Sequence, residues 1–352
     1  MSESSLMDRN ARTMRKVKVQ FSPYTYARVA AMKSSLLSKE DYDRLLKMGY
    51  HEILRSLQDS AYEQEIDKYD VSTQGLKVIE QALNANLLRI CLKLHRISLG
   101  GMKEAIAKYL LRYDLENIKA IIRSTQAGIA ADEVRPLLYE SVNYPAEFWE
   151  KILAKDKIED IVALLPFLKN YGRDGGKKDG SELKELFEIE NALDTYYVET
   201  VMSFASSVRG QGKVLKELWE EEIETMNIKT ILRLLEEKEY DAADYLIKPS
   251  KLVLKMAKLR SIEEIVALLR KDKRTELKGD EDDILARLEI DLEKTLLQKE
   301  RQLMHRNLLS ANYVLGFLFA KEIEVRNLKI LVKGRKLSLP DDYIQKMMVV
   351  AA

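Results

Sequence analysis

The nine residues Asp114-Leu115-Glu116-Asn117-Ile118-Lys119-Ala120-Ile121-Ile122 return twice, as Glu224-Thr225-Met226-Asn227-Ile228-Lys229-Thr230-Ile231-Leu232 and as Glu324-Val325-Arg326-Asn327-Leu328-Lys329-Ile330-Leu331-Val332. The marker asparagines are 110 and 100 residues apart. Leu115, Ile118 and Ile122, like Val325, Leu328 and Val332, fall at the three- and four-residue spacing of a single helical face. A second marker keeps the register: Glu80, Glu190 and Glu289, each flanked by Ile79 and Leu83, Ile189 and Leu193, or Leu288 and Leu292, precede the asparagines by 37, 37 and 38 residues. A third is nearly literal in two copies, Ile158 to Leu165 and Ile262 to Leu269, with Tyr50 to Leu57 as a diverged first copy. Its acidic position (Glu52, Asp160, Glu264) stands 65, 67 and 63 residues before the asparagine. Chance does not hold three spacings at once. The chain is three copies of one helical module of about a hundred residues, longer than the units of roughly 33–47 residues in ordinary helical solenoids, and each copy is long enough to hold a small core.

The rest of the sequence agrees with an all-α fold. Leu, Lys, Glu, Ala and Arg dominate, and period-two runs of Val, Thr and aromatics are scarce, so local propensity and periodicity point the same way. Breaks are expected at Gly100-Gly101, 172–180, 209–213, Lys248-Pro249-Ser250, 271–283 and 334–340. The organisation read from the repeats is a basic extension at 1–22, then modules at 23–135, 136–248 and 249–352. The extension carries Arg9, Arg12, Arg15, Lys16 and Lys18 and reads as a solvated, partly frayed terminus.

Composition excludes several function classes. Of the 352 residues, 58 are Lys or Arg and 57 Asp or Glu, a net charge of +1 that gives no overall attraction to nucleic acid or anionic lipid. The single cysteine, Cys91, forms no internal disulfide, and a reducing compartment fits. The first nine residues carry charges where a secretory signal has an apolar run. The longest stretch free of charge, Asn307 to Ala320, is too short to span a bilayer.

No catalytic or cofactor site is expected. His51, His95 and His305 are far apart and suggest no metal centre. Cys91 lies among Leu87, Leu88, Ile90 and Leu94 and behaves as a small apolar residue. The run Gly172-Arg173-Asp174-Gly175-Gly176-Lys177-Lys178 has the wrong spacing for a phosphate loop and a lysine where Ser or Thr is required. Attention therefore falls on the repeated polar residues. Asp114, Glu224 and Glu324 stand where an acidic residue caps a helix N-terminus. Asn117, Asn227 and Asn327, with Lys119, Lys229 and Lys329, are structural hydrogen-bonding groups in the first turn or between helices, or else line a partner-facing surface. The apolar stripe of the marker is expected to pack on the copy's own helices. Arg209 to Lys213 and Lys271 to Lys278 are partner-facing candidates against a default of solvated connection.

At the N-terminal end the pattern Pro23-Tyr24, Tyr26, Arg28-Val29, Met32-Lys33-Ser34 and Leu36-Leu37, followed by Tyr42 and Leu45-Leu46, resembles the opening of the C subunit of archaeal-type (A-type) and bacterial V-type rotary ATP synthases, whose counterpart in vacuolar ATPases is the d subunit. The similarity continues through Tyr113 to Lys119 and ends with Phe319 to Lys329, so it runs from about Pro23 to the C-terminus. The resemblance implies a funnel of three helical domains around a pseudo-threefold axis. It implies a non-catalytic rotor component, without cofactor or nucleotide, that seats on the cytoplasmic face of the membrane as one copy in the complex. Its partners would be the proteolipid ring and the central stalk, and its task the transmission of torque that couples H⁺ or Na⁺ flow to ATP synthesis or hydrolysis. Two other readings belong to different classes: a linear helical scaffold with an exposed concave face, and an enzyme assembled from scattered carboxylates and tyrosines.

Overall fold

The computed structural model describes residues 17–19, 22–68, 76–168, 186–209, 212–236, 245–277, 284–305 and 311–349. The basic residues before Val17 and the 172–178 glycine run lie outside the described residues. The chain enters through β1 (Val17–Lys18) and four short helices, α1 (Pro23–Lys33), α2 (Lys39–Leu45), α3 (Tyr50–Gln58) and α4 (Glu63–Lys68), which lead to a long antiparallel pair, α5 (Leu76–Ile97) and α6 (Gly100–Gln126). The second copy follows α7 (Ala131–Val134) and a 3-10 turn (Arg135–Leu137). It has the short helices α8 (Ala146–Leu153) and α9 (Ile158–Ala163), then the long pair α10 (Leu186–Ser207) and α11 (Gly212–Glu236), with β2 (Val208–Arg209) in the turn between them. The third has α12 (Lys251–Met256), α13 (Ile262–Lys271), the long pair α14 (Ile284–His305) and α15 (Ala311–Lys336), and the closing helix α16 (Asp341–Met347). The fold is all-α; β1 and β2 are the two strands among the described residues.

The long helices pack in a closed circuit. Helix α5 lies on α6, α6 on α10, α10 on α11, α11 on α14, α14 on α15, and α15 returns to α5. A linear stack of copies has no such last contact.

Sequence repeat and apolar core are out of step by one long helix. Leu115, Ile118 and Ile122 of α6 pack with Ile152, Ile161 and Leu165 from the short helices of the next copy and with Ile189 and Leu193 of α10. Ile228, Ile231 and Leu232 of α11 share a core with Val253, Met256, Ile265 and Leu269 of the third copy's short helices and Leu288 and Leu292 of α14. Val325, Leu328 and Val332 of α15 close the circle against Val29, Ile53, Leu57, Ile79 and Leu83 of the first copy. The expectation that the marker stripe packs on its own copy is thereby corrected. Each such fully buried side chain stabilises by about 1.5–3 kcal/mol, so apolar burial joins each copy to its neighbour.

Three local expectations change as well. Gly100 does end the turn, at φ +52°, but Gly101 lies inside α6, where a Cβ would sit 2.7 Å from Val17 Cγ1 and 2.9 Å from the Lys18 carbonyl oxygen. Gly334 lies inside α15 rather than in a loop, and a Cβ there would sit 2.6 Å from Ile344 of α16. Both glycines mark close approach of two elements. The end of the basic extension is ordered: Val17 and Lys18 pair in parallel with Val208 and Arg209, and Val19 is buried.

Candidate functional site

The repeated polar residues meet at the junctions between copies. In all three copies the marker asparagine lies in the middle of the second long helix and is buried. Its side-chain amide pairs with the backbone of a residue 22, 20 or 22 positions further along the chain. Asn117 Nδ2 donates to the Tyr139 carbonyl (2.8 Å) and Oδ1 accepts from Tyr139 N (2.7 Å). Asn227 does the same with Ile247 (2.8 and 2.9 Å), and Asn327 with Val349 (2.9 and 2.8 Å). A primary amide offers one donor face and one acceptor face, as a peptide group does, whereas a carboxylate has no donor. Asparagine at mid-helix costs up to about 0.7 kcal/mol against alanine, and two buried hydrogen bonds outweigh that. The three asparagines stand at mid-helix rather than in a first turn, and each ties its helix to the backbone of a later segment.

The acidic residues one turn earlier are not caps, because their helices begin well upstream of them. Each reaches the segment that starts the next copy's short helices. Asp114 accepts from Asn143 Nδ2 at 2.7 Å. Glu224 accepts from Ser250 Oγ at 2.9 Å and pairs with Arg274 at 3.1 Å. Glu324 accepts from Leu37 N, from Tyr62 Oη (2.6 Å each) and from Lys321 Nζ (2.7 Å). Ser250 itself caps α12, and Leu37 directly precedes the Ser38 capping box of α2. Burial raises the Asp114 carboxyl to about 6, and the hydrogen bonds from Ser141 and Asn143 only partly offset it. Burial likewise pulls Lys321 down, against the Glu324 charge that holds it up.

The repeated lysines bridge long helices of successive copies. Lys119 pairs with Asp194 of α10 at 2.7 Å, and Lys329 donates to Asn84 of α5 at 2.5 Å. Lys229 is pushed down to about 8 by burial, with Arg326 and Arg233 adding to the shift and Glu289 of α14 opposing it. One turn further on, Arg123 pairs with Glu190 (2.6 Å) and Arg233 with Glu289 (3.5 Å), the same two positions in successive junctions. Arg209 is exposed on β2, and Lys213 is the second residue of α11. In the 271–278 candidate, Arg274 is buried and pairs with Glu221, Glu224 and Asp272 at 3.2, 3.1 and 2.8 Å; Lys278 lies outside the described residues.

Sequence reasoning missed the most telling cluster. Five residues before each asparagine stand Arg112, Glu222 and Glu322, and these three equivalent side chains converge. Arg112 Nη2 donates to Glu222 Oε1 (2.6 Å) and to Tyr197 Oη (2.7 Å), and Nη1 lies 3.6 Å from Glu322 Oε1. The guanidinium sits 4.3 Å from the Tyr109 ring centroid, and Tyr109 Oη donates to Glu322. Burial raises the Glu222 carboxyl, opposed by Arg112. Burial also disfavours the charge on Arg112, but Glu222, Tyr197 and Glu322 hold it well above the ordinary range. Eight residues before each asparagine an aromatic recurs, Tyr109, Trp219 and Phe319, and Tyr109 meets Phe319 edge to face at 5.5 Å. Extending the marker eight residues upstream is the signal that finds both.

Chemistry of other kinds is thin among the described residues. No group of three or more His, Cys, Asp or Glu is placed to hold a metal, and no helix is long and apolar enough to cross a membrane. Cys91 is fully buried, and burial pushes its thiol up, away from the thiolate.

Comparison with known proteins follows the same lines. Residues 25–347 match the family described as ATP synthase (C/AC39) subunit. The A-type ATP synthase C subunit of Methanosarcina acetivorans is 31% identical, the match covering 94% of this chain and 93% of that protein. Those of Archaeoglobus fulgidus (31% identical; 93% and 96% covered) and Methanococcoides burtonii (29%; 93% and 94%) carry the same name. With the match running through all three copies, the chain belongs to the ATP synthase (C/AC39) subunit family, and its part in such a complex is structural rather than catalytic.

Proposed function

We propose that the chain is the rotor component that joins the central stalk of an A-type ATP synthase to the proteolipid ring and passes torque between them, so that H⁺ or Na⁺ flow is coupled to ATP synthesis or hydrolysis. It works at the cytoplasmic face of the membrane as one copy per complex. The three copies stand around a pseudo-threefold axis and form a funnel. The observation that carries this reading is the closed circuit of long helices with Arg112, Glu222 and Glu322, equivalent residues of three copies, on one ion-paired cluster. A part that transmits torque must not shear internally. Here every junction carries an apolar core, an asparagine clamp and an acidic tie, so sliding one copy past another breaks several buried contacts together.

The closing contact of α15 on α5 weighs against the linear scaffold, which needs a free end at each terminal copy. Tagged chain recovered from detergent-solubilised native membranes tests the proposal. Co-recovery of the ring and stalk proteins in fixed ratio supports it; recovery of the chain free of both overturns it.

A further inference from the structure

Charge along the chain is not evenly spread. Residues 9–39, 81–103, 200–216 and 301–321 contain 18 Lys and Arg and no Asp or Glu, while the other 260 residues hold 40 Lys and Arg against 57 Asp and Glu. Among the described residues, the fold brings Val17 and Lys18, the turn between α5 and α6, the turn between α10 and α11 and the start of α15 together at one end. The Lys18 backbone lies against Gly101 at the first turn, and β1 pairs with β2 at the second. Thr25 Oγ1 donates to the Ile97 carbonyl at 3.0 Å, and the Tyr26 ring meets that of Tyr313, at the start of α15, at 4.6 Å.

On the outside of that end Lys18 and Arg209 are register partners, and both are exposed, as are Arg96 and Lys103 on either side of the first turn. Among the described residues no carboxylate forms an ion pair with any of the four. Glu104 directly follows Lys103 and is itself exposed, and Glu217 stands five residues into α11. At the same end are Leu99, in the first turn and 73% exposed, and Tyr24, next to Thr25 and 61% exposed, two of the most exposed large apolar side chains among the described residues.

We propose that this end, where the long-helix pairs and the N-terminal strand meet, is a cationic face with apolar tips that seats on anionic phospholipid headgroups. Exposed cations at the same end as an exposed leucine and tyrosine match an interface whose headgroups are negative and whose acyl boundary lies a few ångströms deeper. The inference rests on the rotor reading above only for bringing the chain to the membrane.

The test is flotation of the purified full chain with phosphatidylcholine vesicles and with vesicles containing about a third phosphatidylglycerol. The chain floats with the anionic vesicles at low salt and is released at about 0.5 M salt, where screening is within a few ångströms. The triple variant Lys18→Glu/Lys103→Glu/Arg209→Glu loses about a hundredfold or more in partition, at roughly fivefold per cation, and Leu99→Asp loses a smaller factor without changing the salt dependence. Circular dichroism melting shows that each variant is folded, and the double reversal Lys151→Glu/Lys155→Glu, away from this end, binds as the parent does. Equal flotation with neutral and anionic vesicles overturns the proposal. So does loss of ring association by the triple variant in purely zwitterionic nanodiscs, which would make the partner acidic protein. Failure of the chain to co-purify with ring and stalk, with anionic flotation intact, strikes the rotor reading alone.

Discussion

At the scale of single residues, the asparagine clamp is the most exposed to test. Asn327→Ala leaves the Val349 amide and carbonyl buried without partners and is expected to cost about 2–4 kcal/mol. Urea unfolding reads that as a lower midpoint at unchanged slope. Asn327→Asp keeps the acceptor but adds a buried charge and loses the donor, so it should be no better. Asp114 makes the opposite prediction, with pH. Its folded-state value of about 6 lies above the ordinary 3.8, so between those values the folded protein holds a proton that the unfolded chain has released. This carboxyl's contribution is present in full below about pH 4 and is lost as pH rises through 6, a loss on the order of 3 kcal/mol. Asp114→Asn, which keeps an acceptor for Asn143, should flatten the pH dependence of the melting temperature between pH 4 and 7. An unchanged slope would show that Asp114 is not the group responsible. That these residues matter is legible in the repeat; what they do is not. Acid-x-x-Asn looks like a helix start, and only the unbroken run from Gly101 through Tyr113 shows that the helix is already under way.

At the scale of elements, the two glycines that look like punctuation are contact points. Gly101→Val places side-chain carbons where Val17 and the Lys18 carbonyl already stand. It should detach β1 and speed amide exchange at Val208 and Arg209 while the long helices stay protected. Gly334→Val drives α15 off Ile344 of α16 and is expected to cost about 1–3 kcal/mol, measured as a drop in melting temperature. The long helices and the short-helix markers are readable because apolar spacing repeats over several turns. The two-residue strands carry no period to read. Pairing of Val17 with Val208 links positions 191 residues apart, and only the fold brings them together. Spacing alone excludes a phosphate loop at 172–178, a run that lies outside the described residues.

At the scale of the whole molecule, the three copies are one cooperative body because each core is shared between successive copies. A fragment cut at the sequence repeat, residues 136–248, lacks the α6 face for Ile152 and Ile161 and the third copy's short helices for Ile228 and Leu232. It should stay unfolded, while the full chain unfolds in one transition. Arg112→Met leaves the part-buried Glu222 without its counter-charge and should cost about 1–3 kcal/mol; removing Glu222 and Glu322 as glutamines in the same chain should recover part of that. Three-fold repetition is plain in the sequence, but ring closure is not, since it depends on α15 meeting α5. The central claim is that this closed body couples ring to stalk. Reconstituted A-type complexes with and without the chain, assayed for ATP hydrolysis and for ATP-driven ion uptake into vesicles, test it most directly. Without the chain, hydrolysis is expected to continue while ion uptake is lost, and adding the chain back restores uptake. Ion uptake at the same rate per ATP in complexes that lack the chain would contradict that claim.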